Sequence, residues 1–261
     1  MTPPVVLAVA ATDPGGGAGL AADLATFAAL GVHGGCVVTA ITVQDTRGVH
    51  GIHPVPADVV AAQLDAVLGD LPVAVIKTGM LATPEAVRLL AERVVLARVT
   101  SGSRGQGRPL LVVDPVLRAT TGATLADAAV VAAYREHLLP LATVVTPNAD
   151  EDAVLGRGHG AAVLRTGSGA PDVLHRPGRE PLDIPHARVA TTNDHGTGCT
   201  HASALAAYLA LGHDLATAAH RAADFTSRRL ATSSTWDLGR GRGPIAHIST
   251  SSMTETEGVT A

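Results

Sequence analysis

The sequence predicts a single α/β domain with a central, mostly parallel sheet and helices on both faces. Three observations lead there. From Val5 to about Leu164, short Val/Ile-rich runs alternate with Ala/Leu-rich segments of helical length, the order of strands joined by crossover helices. CVVTAITV and LLVV are nearly continuous apolar runs, as expected of strands buried on both faces. Of 261 residues, 46% are apolar and 16% charged, enough for a sizeable core without disulfides. Aromatics are only 2%, so Ala, Val and Leu must fill that core.

The elements follow in order. Val5–Ala10 reads as a buried first strand; the segment before it has no basic stretch, and its apolar run is too short to span a membrane. The glycine-rich Asp13–Gly19 leads into an Ala-rich helix ending near Leu30. Cys36–Val43 is expected to be one strand, with Cys36 in the core. Pro56 opens a helix to about Leu68. Val73–Ile76 is a strand, and Thr83-Pro84-Glu85 gives a cap, a first-position proline and a first-turn acid for the next helix. Ser101–Arg108 is expected to be a flexible loop, followed by a strand at Leu110–Val113 and a helix at Asp127–Leu138. Strands follow at Thr143–Val145 and Ala161–Leu164.

Asp172–Val189 breaks the pattern with short alternating runs around PGRE and reads as a β-hairpin or edge ribbon. Two Ala-rich helices, about Thr197–Leu211 and Leu215–Leu230, complete a domain expected over residues 1–232. Residues 233–261, rich in Ser, Thr and Gly, read as a flexible tail. Two cysteines without paired spacing point to a reducing, cytoplasmic compartment. A formal charge of −4 gives no general reason to expect nucleic acid or an anionic membrane as partner.

The motifs gather at predicted strand ends. DPGGGAG lacks the Lys-Ser/Thr of a Walker A loop and, taken alone, reads first as a tight turn needing positive φ. Asp23 either faces solvent or lies near the carboxyl edge of the sheet, where open α/β sheets bind ligands. Gln44, just past a buried run, offers a donor and an acceptor suited to a heteroaromatic edge, or is an ordinary loop amide. Met80 fits packing better than ligand contact. Asp114, Asn148 and Glu151 could together hold a hydrated Mg²⁺, although Asn148 and Glu151 equally suit a capping box. Gly196-Thr197-Gly198-Cys199 opens a long apolar helix, whose free N–H groups and positive dipole end suit an anion. A thiol there is expected to have a lowered pKa and to accept a proton.

In their order, AATDPGGGAGLAADLATFAALG, TAITVQDTRGV, VIKTGML, VVDPV, TPNADE and TTNDHGTGCT resemble the hydroxymethylpyrimidine/phosphomethylpyrimidine kinases of the ribokinase-like superfamily. The likeness runs from about Val5 to Leu230. It implies transfer of the ATP γ-phosphoryl group to the hydroxymethyl oxygen of 4-amino-5-hydroxymethyl-2-methylpyrimidine, and often to the monophosphate afterwards. It assigns the pyrimidine to Asp23, Gln44 and Met80, with Ala11 where backbone often approaches substrate. Asp114, Asn148 and Glu151 would serve Mg·ATP, with Thr166 beside the nucleotide. Gly196, Thr197 and Gly198 would form an anion hole, and Cys199 would be the base. Relatives suggest a homodimer.

Three departures stand out. Ala11-Thr12-Asp13 replaces the family's usual Gly-Ser-Asp. Thr166 and the LRATTG loop lack frequent lysines. The link Ala149–Gly160 is so short that its helix is expected to shrink to a turn or two, or to a loop. Pyridoxal or pyridoxine phosphorylation is the nearest alternative activity. A non-catalytic pyrimidine-binding relative is the alternative from another class.

Overall fold

A computed structural model describes residues 2–103, 107–167 and 171–248. Five strands form the parallel centre of the sheet: β1 (Val5–Ala10), β5 (Val73–Thr78), β6 (Leu110–Val113), β7 (Val144–Val145) and β8 (Ala162–Arg165). β2 (His33–Val38) joins β1 at one edge, while β9 (Asp172–His175) and β10 (Leu182–Ile184) extend the other. The eight-stranded order is β10-β9-β8-β7-β6-β5-β1-β2, with only β9 and β10 antiparallel. The expected hairpin is therefore the antiparallel edge of the sheet.

The alternation along β1 divides the core. Val6, Ala8 and Ala10 pack beneath α1 (Gly19–Ala29), α6 (Thr197–Ala210) and α7 (Leu215–Ser233). Val5, Leu7 and Val9 pack on the opposite side with α2 (Ala57–Asp70), α3 (Pro84–Ser103) and α4 (Ala128–Ala133). A strand between two helical layers must be apolar on both faces, and all six residues of β1 are buried. Thr83 Oγ1 accepts the Ala86 N–H, as its capping role requires. α4 continues through a π-helical turn at Tyr134–Leu138 rather than as one regular helix.

The expected Cys36–Val43 strand is two strands in different sheets. β2 ends at Val38, and the chain leaves the main sheet at Thr39, where the Thr39 N–H donates to Ala10 O. β3 (Ala40–Asp45) then pairs antiparallel with β4 (Gly48–Pro54) in a two-stranded lid. Cys36 is exposed rather than in the core, because β2 is an edge strand. The bland composition of β4, GVHGIHP, carries no strand signal of its own; pairing with β3 makes it one.

The short link contains α5 (Ala149–Leu155), a helix of 7 residues, as its length required. Ser101–Ser103 extend α3 instead of opening a loop, and residues 104–106 lie outside the described set. The expected tail does not begin at residue 233. Residues 234–248 cross back over the molecule, with Ile245 and Ala246 fully buried. The remaining tail residues, 249–261, lie outside the described residues.

Candidate active site

The carboxyl ends of β1, β5, β6, β7 and β8, the lid and the start of α6 enclose a cavity of about 1000 Å³. Among the predicted residues, Ala11, Gln44, Met80, Asp114, Asn148, Glu151, Thr166 and Gly196–Cys199 line it. Gln44 enters from β3, and Met80 from the loop after β5. Met80 also packs with Ala11 and Ala40 in a small apolar cluster under the lid. Its packing role and its place in the wall therefore coincide.

Asp23 does not line the cavity. It is fully buried behind the wall, where Oδ1 accepts from Lys77 Nζ at 2.7 Å and from Ser203 Oγ at 2.7 Å. Its assignment as a ring contact is corrected for that reason: a carboxylate without exposed surface meets Lys77, not a ligand. Lys77 was overlooked, although a lone lysine in the apolar run VAVIKT was the available signal. Its ammonium also lies 3.7 Å from Asp114 Oδ2. Burial opposes its charge, but Asp23, the Cys199 sulfur and Asp114 outweigh that and hold its pKa above the usual lysine range.

Asp114 sits between this buried cluster and the cavity. Burial and Asp23 raise its pKa, while Lys77 acts in the opposite direction. Its Oδ2 is buried without a hydrogen bond among the described residues. Glu151 is buried at the start of α5, where Oε1 accepts from Leu117 N–H and Oε2 from Asn148 N–H. Burial and the nearby Asp114 push its pKa up to about 7. Asn148 and Glu151 form a reciprocal capping box and still line the cavity, so both readings of that segment hold. Two crowded carboxyls, one with an orphan oxygen, form a donor set suited to a hard divalent cation.

At the other wall, Gly196 caps α6 in the left-handed conformation, with φ 85°. A Cβ there would lie 1.8 Å from Gly17 O, so only glycine lets the two loops stack. The N–H groups at the start of α6 are free of side-chain caps. Gly17 and Ala18 N–H donate to Asp13 Oδ2, which also bonds His195 Nε2 at 2.8 Å. Burial opposes ionisation of Asp13, but these bonds and His195 lower its pKa overall.

The expected low thiol pKa of Cys199 is overturned. Burial pushes it up to about 12, with Asp114 and Asp23 adding to the rise and Lys77 opposing it. The helix N-terminus loses to desolvation and two carboxylates. Sequence reasoning also missed Arg118 and Arg188. They line the cavity and are exposed, with no salt bridge among the described residues.

A mainly parallel sheet with a glycine-capped helix start and a two-stranded lid at its carboxyl edge is the architecture of a ribokinase-like small-molecule kinase. The phosphomethylpyrimidine kinase family model matches residues 13–162 and 152–246, and the chain belongs to that family. The hydroxymethylpyrimidine/phosphomethylpyrimidine kinase of Rhizobium meliloti is 41% identical over 94% of this chain and 97% of its own length. Among solved structures, the Staphylococcus aureus pyridoxal kinase in complex with ADP is similar with a TM-score of 0.78 and 28% identity, covering 95% of this chain and 94% of that one. The phosphomethylpyrimidine kinase of Clostridium difficile matches with a TM-score of 0.71 and 28% identity, over 86% of this chain and 98% of its own.

Proposed function

We propose that this enzyme transfers the γ-phosphoryl group of ATP to 4-amino-5-hydroxymethyl-2-methylpyrimidine, and to its monophosphate, for thiamine biosynthesis. The observation that carries the reading is the glycine-capped start of α6, which has no side-chain cap and lines a cavity shared with the Gln44 amide and the Asp114 and Glu151 carboxyls. The lid end takes the pyrimidine: Gln44 meets its ring edge, and Ala11 and Met80 supply apolar walls. The wider end takes the nucleotide beside Asn148 and Thr166, where Arg118 and Arg188 provide positive charge in place of the missing lysines.

Asp114 and Glu151 are the residues suited to hold Mg²⁺, which when bound offsets negative charge on the phosphates. Phosphoryl transfer depends chiefly on positioning and charge stabilisation. Thr197 N–H donates to Asp194 O at 3.1 Å, so the N–H groups of Gly196 and Gly198 stabilise the equatorial oxygens of the moving group. A thiol with a pKa of about 12 is not a resident thiolate at neutral pH. Cys199 therefore accepts a hydrogen bond from the substrate hydroxyl and aims it, while the proton passes late to solvent water, from an oxygen already bonding to phosphorus.

Incubation with ATP, Mg²⁺ and the pyrimidine, followed by separation of mono- and diphosphate, tests the reading; no phosphorylated pyrimidine would overturn it. The resemblance to pyridoxal kinase structures favours one second reading, pyridoxal phosphorylation at the same site. Side-by-side kcat/KM values separate the two. We also propose a cytoplasmic homodimer. Exposed Ile41 and Val43 on the lid supply apolar surface for it, and sedimentation equilibrium gives the mass.

A further inference from the structure

The segment Gly239–His247 belongs to neither helical layer, yet it touches three parts of the site. It first meets the turn of the lid. Thr46 Oγ1 accepts from Arg240 N–H and Gly241 N–H, both at 3.0 Å, and Thr46 O accepts from Arg242 N–H at 2.9 Å. A Cβ on Gly241 would lie 2.1 Å from Thr46 O, so a side chain there would force the segment off the lid. It next meets the loop before α6. The Arg242 guanidinium holds both oxygens of Asp194. His195 N–H donates to Gly243 O and His195 O accepts from Ile245 N–H, both at 3.0 Å. Last, His247 Nε2 lies 3.1 Å from Gly17 O in the glycine-rich loop.

Arg242 thus bonds the lid through its backbone and the anion-hole loop through its side chain. Thr46 lies two residues beyond Gln44 in the chain, and His195 immediately precedes Gly196. Ile245 and Ala246 anchor the far end of the segment in the core.

We propose that Gly239–His247 is a strap that holds the lid and the anion hole in one frame, with Thr46 and Arg242 as positioning residues for phosphoryl transfer. The strap sets the distance between the Gln44 amide, which holds the ring, and the Gly196 and Gly198 N–H groups, which receive the phosphoryl group. It also keeps the lid down, so that water is excluded while the phosphoryl group moves. The choice of pyrimidine as substrate rests on the proposed function; the strap itself does not.

The test compares Thr46→Val, which keeps the shape but removes the hydroxyl acceptor, with Thr46→Ser, which restores it. In Thr46→Val, kcat/KM for the pyrimidine should fall about tenfold or more, the scale of a small misplacement of reacting groups. ATP hydrolysed per pyrimidine phosphorylated should rise, and Thr46→Ser should return both to wild-type values. Arg242→Ala, an exposed substitution that leaves the core intact, should reproduce the change in ratio. Hydrogen exchange supplies a readout independent of the substrate. In Thr46→Val, amides of Arg240, Gly241, the lid strands and residues 194–199 should exchange faster together. Wild-type turnover of neither pyrimidine nor pyridoxal would sink the proposed function while leaving the exchange experiment decisive for the strap. Unchanged ratio and unchanged exchange in both Thr46→Val and Arg242→Ala would overturn the strap, as would losses matching only a lower folded fraction.

Discussion

Behind the cavity wall, next to α6, the charges are sealed: Lys77 and Asp23 have no exposed surface, and Asp114 has almost none. Elsewhere on the cavity wall Arg118, Arg188 and Asp150 are exposed. Sealed charges hold a fixed geometry, but removing one strands the others in a medium that cannot solvate them. Exposed charges cost little to keep and little to lose, because water screens them. The sealed cluster fixes the wall around Asp114 and Cys199, where the phosphoryl group moves, whereas the exposed arginines suit a long, flexible polyphosphate.

Lys77→Met gives the most severe test of this contrast. It keeps the methylene packing but leaves Asp23 and Asp114 without their cation, a change that costs about 3–5 kcal/mol in buried pairs. Urea unfolding should show that loss, and adding Asp23→Leu should recover part of it. A Lys77→Met protein as stable as the wild type would mean that the buried cluster is not held by charge.

Cys199→Ala should lower kcat about 10²-fold, the scale of a misplaced reacting hydroxyl, with KM for both substrates nearly constant. In a Cys36→Ser background, alkylation of Cys199 by iodoacetamide should accelerate about tenfold per pH unit from pH 7 to 9, because the thiolate fraction is still climbing. A plateau in that range would place the thiol pKa far below 12.

Glu151 gives a pH signature. Its folded pKa of about 7 lies above its ordinary value of 4.5, so the folded state binds the proton more tightly. The contribution of Glu151 to stability should therefore fall as pH rises from about 4.5 to 7, by no more than about 3 kcal/mol. Glu151→Gln should flatten that slope, as followed by urea midpoints across the window. A wild-type slope no more negative than that of Glu151→Gln would contradict the burial argument.

Gln44→Ala should raise the pyrimidine KM by the equivalent of about 1–3 kcal/mol, the cost of leaving polar ring atoms unpaired. The effect on pyridoxal should be smaller, because pyridoxal lacks the same ring nitrogen and amine pattern. Equal effects would remove the assignment. Arg118→Ala and Arg188→Ala should have the smallest effect, raising the ATP KM a few-fold each and less at high salt, as screened contacts do. A hundredfold loss from either would mean that these arginines are as sealed as the Lys77 cluster.

Most of the cavity wall was legible in the sequence. Strands end where apolar runs stop, so Asp114 and Asn148 could be placed along one sheet edge from local pattern alone, whereas Gln44 reaches the cavity from β3 of the separate lid. Asp23 could not be resolved in the same way. Its partner Lys77 is 54 residues away, and helical periodicity carries no information about which strand a buried carboxylate will meet. The lid was hidden because Thr39 turns the chain inside one unbroken apolar run, and only pairing with β4 distinguishes β3 from β2. The thiol of Cys199 misled because a helix start was visible, whereas the carboxylates beneath it were not.

By itself the sequence determined the alternation of strands and helices, the motifs at the strand ends and the shortened α5. Those features depend on neighbouring residues: side-chain periodicity, caps and chain length. Only the tertiary structure decided that Asp23 is a buried anchor rather than a ring contact, that the Cys199 pKa rises, and that Gly239–His247 binds Thr46 about 194 residues away. Those outcomes depend on desolvation and on contacts between distant segments, which are defined only after the sheet brings its edges together.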